Sequence, residues 1–212
     1  VMGGARRTDS DNETYWRIAQ FLMPNHGLAP STMKGMTYTG QCWVPIDDVN
    51  TWVFCYSWNP LRPLKLIEQG YRPGVPSIYS ETDADFVPLR NRRNGYLQDR
   101  TRQKYETFTG IVGVSEQDAA IQESQGLIAD RTREMLGPTD LGVVRFRRLV
   151  LGSAKALAEG EEPPQVGRPE AYCVRSGAIV TDSDKDFDAV LQARFGTPNG
   201  EAPADGASEA AE

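Results

Sequence analysis

The stretch "NTWVFCYSW", residues 50–58, decides the class of fold. Trp52, Phe54, Tyr56 and Trp58 alternate with Val53, Cys55 and Ser57. Successive side chains of a strand point to opposite faces, so four large rings line one surface. That surface reads as a core face, or as the wall of an apolar ligand cavity. Upstream, "MTYTGQCWVPI" has the same strand-forming composition, and "PIDDVN" between the two supplies the Pro, Asp and Asn of a turn. Asp47 and Asp48 are therefore read as turn residues, not as paired catalytic carboxylates. "YWRIAQFLMP", from Tyr15, sets Trp16, Ile18 and Leu22 against Arg17 and Gln20, an imperfect alternation that predicts a third strand. "AYCVRSGAIVTD", from Ala171, predicts a last strand or hairpin.

Between the strands and the helices lies a long irregular segment, from Asn59 to about Gly113, broken by Pro60, Pro63, Pro73, Pro76 and Pro88. Such a segment inside a domain is usually a binding loop, a cover or a subunit contact. Its basic run holds Arg90, Arg92, Arg93, Arg100, Arg102 and Lys104 and is read as a solvated or intersubunit face. A helix is then predicted from Ser115, broken near Gly126, resumed in "LIADRTREML" and stopped at Gly137–Pro138. Another starts at Thr139 or Asp140, with Leu141, Val144, Leu151 and Ala154, and Phe146, Leu149 and Val150 nearby, giving an apolar stripe at helical spacing, and stops at Gly160. "DKDFDAVLQARF" is expected to be a short helix. Residues 196–212, rich in Gly, Pro, Ala and acid, are expected to be a disordered tail.

Charge and cysteine usage exclude several classes. The net charge is −6, which argues against a nucleic-acid partner. Glu201, Asp205, Glu209 and Glu212 carry part of it, and the rest of the chain holds −2. No apolar run approaches the length of a membrane span, so the expected location is the cytoplasm. Cys42, Cys55 and Cys173 are odd in number and form no C-x-x-C pair, which excludes a zinc ribbon built from them alone. They are read as small buried hydrophobes. His26 is the single histidine, in the turn-like "MPNHGLAP", and is not read as a ligand.

"SEQDAAIQES", residues 115–124, contains the one site candidate. Ser115 with Asp118 fits the capping box, in which the acid reaches back to the cap amide. Spacing alone favours that reading. Three stretches add another: "YWRIAQFLMP…WVPIDDVNTWVF", "DFVPLRNRRNGYLQDRTRQKYETFTGIVGVSEQDAAIQESQGLIADRTREMLGPTD", and "VVRFRRLVL". From about Tyr15 to Val180 the chain resembles the C-terminal half of the large subunit of Rieske-type aromatic ring-hydroxylating oxygenases, in the phthalate dioxygenase-like branch. The likeness is densest at "QDAAIQES…DRTRE…LG". It departs from the family pattern at Gln125, usually Met, and at Gly95, usually an acid.

The resemblance implies an α+β fold, an antiparallel sheet wrapped around long helices (the helix-grip, START-like catalytic domain), over residues 1–195. It implies a mononuclear iron(II) held by two histidines and one carboxylate, the arrangement that leaves positions open for O2. The carboxylate falls on Asp118, with Gln122 one turn on as its orienting neighbour. Glu116 and Glu123 are expected to be solvated or structural. The histidines and the [2Fe–2S] Rieske cluster belong upstream, so the chain is expected to be part of a larger protein, inactive by itself and weak in iron binding. The implied partners are an aromatic, carboxylate-type substrate, O2, and a reductase delivering electrons from NADH. A homo-oligomer, trimer or hexamer, is expected, and the reaction is hydroxylation or O-demethylation. The competing expectation is a non-enzymatic helix-grip module that binds a hydrophobic ligand.

Overall fold

The computed structural model describes residues 2–10, 12–30, 37–69, 80–163, 166–186, 188–189 and 195. The acidic tail at 196–212, and half of the expected last helix, lie outside them. The chain divides into two compact units. One holds residues 1–45, 51–62 and 136–212, the other 46–50 and 63–135.

The first unit is an antiparallel sheet with one long helix, of the α+β class expected. Its strands are β1 (Met2–Ser10), β2 (Glu13–Leu22), β3 (His26–Ala29), β4 (Tyr38–Pro45), β5 (Thr51–Trp58) and β6 (Gly177–Asp182). The order runs β1-β2-β3-β4-β5, with β6 also paired to β2. β2 bonds to β1 along one edge. Its other edge is shared, Glu13–Ile18 with β6 and Gln20–Leu22 with β3. β3 is a correction to the sequence reading. The turn covers Met23–Asn25, and His26 already belongs to a strand, opposite Cys42.

The core lies on β2, not on the ring-bearing strand. Ile18 is fully buried and packs with Phe195, Trp16 and Ile179. Gln20 is buried beside it, and its amide donates to the carbonyls of Arg175 and Phe195 at 3.1 and 3.4 Å. Ser176, also buried, donates to the Ala29 carbonyl at 2.6 Å. These bonds tie the chain's late segment to the sheet without leaving those side chains unsatisfied. On β5 the rings do line up, Trp52 against Phe54 at 5.4 Å and Tyr56 against Trp58 at 5.9 Å. Phe54, however, is half exposed. Trp52, Tyr56 and Trp58 are only half-buried, so none of the four rings is a core residue; among the described residues β5 pairs with β4 alone and forms a sheet edge.

The long helix is α3 (Leu141–Ala158); α1 (Arg100–Tyr105) and α2 (Val114–Ser124), shorter, belong to the second unit. Its ends match expectation, with Gly160 at φ 86° just past the C-terminus. Its expected apolar stripe is turned inward only in part. Val144, Phe146, Leu149 and Val150 are half-buried, as is Ser153, whereas Leu141, Leu151 and Ala154 are exposed. Packing chose among positions of the same helical spacing. Phe146 meets Phe21 of β2 edge-on, centroids 4.1 Å apart. Phe21 and Ile18 have opposite parity, so β2 is covered on both faces, by α3 and by Phe195.

Ile18→Ala removes the most buried side chain of this core. The expected loss is about 2–5 kcal/mol of unfolding free energy, read from chemical denaturation.

Candidate functional site on helix α2

The second unit is built from short pieces, several of them started by a side-chain cap. Asp99 caps α1 (Arg100–Tyr105), accepting from the Thr101 and Arg102 amides at 2.8 and 3.0 Å. Asn91 and Asn94 cap each other's amides ahead of the 3-10 turn Arg92–Leu97. That turn carries Gly95, Tyr96 and Leu97 through positive φ. In the basic run Arg102 pairs with Glu106 at 2.8 Å on an exposed surface.

The helix with the candidate ligand is α2 (Val114–Ser124). It starts one residue before the expected cap. Gly113, at φ 96°, is the N-cap and contributes no side-chain bond, so the Ser115–Asp118 capping box does not form. Nor does the helix resume after Gly126 (φ 99°). Asp130 there accepts from Thr132, 3.0 Å from its amide and 2.6 Å from its hydroxyl, and starts a 3-10 turn over Arg131–Arg133 instead. A local side-chain bond of that kind competes with helix.

What sets α2 in place is a residue the sequence reading left solvated or structural. Glu116 is 1% exposed, and its Oε2 has no hydrogen-bond partner among the described residues. The carboxylate lies so close to Gly113 that a Cβ there would fall on Oε2. Burial pushes the Glu116 carboxyl above its usual range, against the pull of its own amide and of Arg90. An acid in a first helical turn ordinarily reads as solvated and dipole-complementing. Only the glycine three residues earlier, with its positive φ, hints at close packing. Gln117 adds a bond from its amide to the Ile111 carbonyl at 3.1 Å. At the far end Glu123 accepts from the buried Tyr96 hydroxyl at 2.5 Å, a structural role as expected.

These ties orient one side of α2 inward. Asp118 and Gln122, four residues apart, lie on its exposed side together with Ile121. Neither Asp118 nor Gln122 hydrogen-bonds through its side chain to another described residue. Asp118 is thus a hard, anionic oxygen donor on a rigid element, chemistry that fits one carboxylate arm of a metal site. Among the described residues no group of three His, Cys, Asp or Glu could hold a metal ion by itself. His26 belongs to the first unit. Among those residues no helix is long and apolar enough to cross a membrane.

Residues 5–189 match the family described as LigXa C-terminal domain like. The chain is 34% identical over 199 residues to a 3-chlorobenzoate-3,4-dioxygenase oxygenase subunit of Comamonas testosteroni, covering 87% of this chain and 46% of that one. It is 32% identical over 179 residues to a phthalate 4,5-dioxygenase oxygenase subunit of Pseudomonas putida, covering 82% and 40%. The chain spans less than half the length of these curated relatives.

The Tyr96–Glu123 tie has a pH signature. Burial, then the Glu123 carboxylate, raises the Tyr96 hydroxyl from 10.0 to about 12. A group with a raised folded value holds its proton more tightly when folded. Its stabilisation is complete below pH 10 and is lost as pH rises toward 12. Tyr96→Phe is expected to flatten that limb, read from denaturation midpoints between pH 9 and 12.

Proposed function

The chain belongs to the LigXa C-terminal domain-like family, and on that premise we propose that it forms the catalytic-domain part of the oxygenase component of a Rieske-type ring-hydroxylating oxygenase. The reading is carried by the 34% identity to an oxygenase subunit across 87% of the chain. The substrate is an aromatic compound of the carboxylate type, a class supported by the chlorobenzoate and phthalate named for the relatives. Asp118 is the carboxylate ligand of a mononuclear iron(II). The two imidazole ligands and the [2Fe–2S] cluster are supplied from outside this chain. When bound, such an iron presents open positions to O2 and, fed with electrons from NADH through a reductase, supplies hydroxylating or O-demethylating chemistry. The assembled protein is a homotrimer or hexamer.

The chain's own contribution is direction. A carboxylate ligand must be held so that its lone pairs meet the metal without reorganisation. The buried Glu116 at the head of α2 and the Tyr96–Glu123 bond at its tail fix the roll of the helix. That leaves the Asp118 carboxylate without a side-chain hydrogen bond to any described residue, available to a cation. Gln122, on the same side one turn later, is the neighbour that would orient it once the metal is bound.

Asp118→Ala in the full-length protein is expected to lower iron per protomer by about tenfold or more, with the far-ultraviolet dichroism unchanged. Gln122→Ala should weaken iron affinity by roughly tenfold to a hundredfold, the effect usual for an orienting neighbour. Full iron retention by the Asp118 variant, measured by metal analysis, would overturn the assignment.

A further inference from the structure

The lone histidine and one cysteine, left unassigned by the oxygenase reading, meet in the first unit. His26 and Cys42 face each other across β3 and β4 as register partners, so their side chains share one face of the sheet. Cys42 Sγ is 3.6 Å from His26 Nε2. The other ring nitrogen, Nδ1, is 3.4 Å from the Tyr56 hydroxyl on β5. The Asn25 amide oxygen lies 3.5 Å from the same sulfur. Tyr56 reaches the histidine because its register partner is Gly40. A Cβ on Gly40 would come within 2.6 Å of the Tyr56 ring. Cys42, His26 and Tyr56 are each half-buried, so small reagents reach them while the surroundings limit competing water.

We propose that Cys42 is a modification site, a thiol activated by His26 that reacts with hydrogen peroxide and comparable small soft electrophiles. In the tautomer protonated at Nδ1, that N–H donates to the Tyr56 hydroxyl oxygen and Nε2 turns its lone pair to the thiol. Proton transfer then leaves a thiolate beside an imidazolium that donates back to it. The thiolate is the nucleophilic form of cysteine, and a neighbouring imidazolium stabilises it. With peroxide the sulfur attacks one oxygen, an S–O bond forms and the O–O bond breaks. The departing hydroxide takes the imidazolium proton and leaves as water. Sulfur loses two electrons, peroxide gains them, and the product is a sulfenic acid with His26 restored to its neutral form. That product does not go on to a disulfide with Cys55. Cys55 is the neighbour on β5 of Phe54, the register partner of Cys42, and so faces the other side of the sheet, where it receives a weak bond from Gln41 at 3.9 Å.

The same molecule contains its own references. Cys173 is exposed, and burial pushes the Cys55 thiol up. The full-length protein is treated at pH 7 with limiting iodoacetamide, and each cysteine peptide is followed by mass spectrometry. Cys42 is expected to label about tenfold faster than Cys173, and Cys55 slowest. His26→Gln is expected to bring the Cys42 rate down to that of Cys173. After hydrogen peroxide, dimedone is expected to add at Cys42, with no Cys42–Cys55 disulfide. Wild-type labelling of Cys42 no faster than Cys173 overturns the proposal and depends on no variant folding. An unchanged Cys42 rate in a folded His26→Gln protein overturns it too, as does peroxide treatment that leaves no adduct on Cys42.

Discussion

Strand β2 carries the first unit because it pairs with three strands and is covered on both faces. β1 takes one edge, while β6 and β3 divide the other. Ile18 points to one face, where Phe195 closes over it, and Phe21 to the opposite face, where it meets Phe146 of α3. A strand buried on two sides cannot slip by one residue without exchanging both sets of side chains, so its register is strongly specified. The imperfect alternation in "YWRIAQFLMP" is the sequence trace of that double burial. The clean alternation in "NTWVFCYSW" belongs to the edge strand, where half-exposed rings cost less than a broken core would.

The second unit is ordered differently. It has few buried apolar groups among the described residues, Tyr96 and Ile111, and relies on side-chain caps and two buried acids, Glu68 and Glu116. Glu116 is costly to bury, since one carboxylate oxygen lacks a partner. The compensation is geometric. With Glu116 against Gly113 and Glu123 on Tyr96, α2 has one allowed roll, and Asp118 and Gln122 face outward on it. Buried polar groups are often retained where direction matters more than stability. The helix named by the resemblance is the one held in this way.

The strands β2, β4, β5 and β6, the Asp47 turn and the span of α3 were legible from alternation, turn chemistry and helix stops. The Asp47 carboxylate indeed accepts from the Val49 and Asn50 amides at 2.8 and 2.7 Å. β3 was hidden because "NHGLAP" reads as loop by composition, and only pairing with β4 makes it a strand. The capping box at Ser115 was a local pattern overruled by the glycine before it. The continuation through "LIADRTREML" lost to the Asp130 turn. The apolar stripe of α3 was legible at Val144, Phe146, Leu149 and Val150 and not at Leu141, Leu151 and Ala154, which share the helical period but stand exposed.

The sequence by itself determined the α+β class, the order of most elements and the kinship with dioxygenase oxygenase subunits, and it suggested the acid on which the proposed metal assignment rests. Those are properties of residue order, read at separations of a few positions. Tertiary structure alone decided that Glu116 is buried, that Asp118 is released from its cap, and that His26, Cys42 and Tyr56 meet. Each of those depends on strand pairing or on a backbone turn placing residues from different stretches within bonding distance, and no local periodicity encodes that distance.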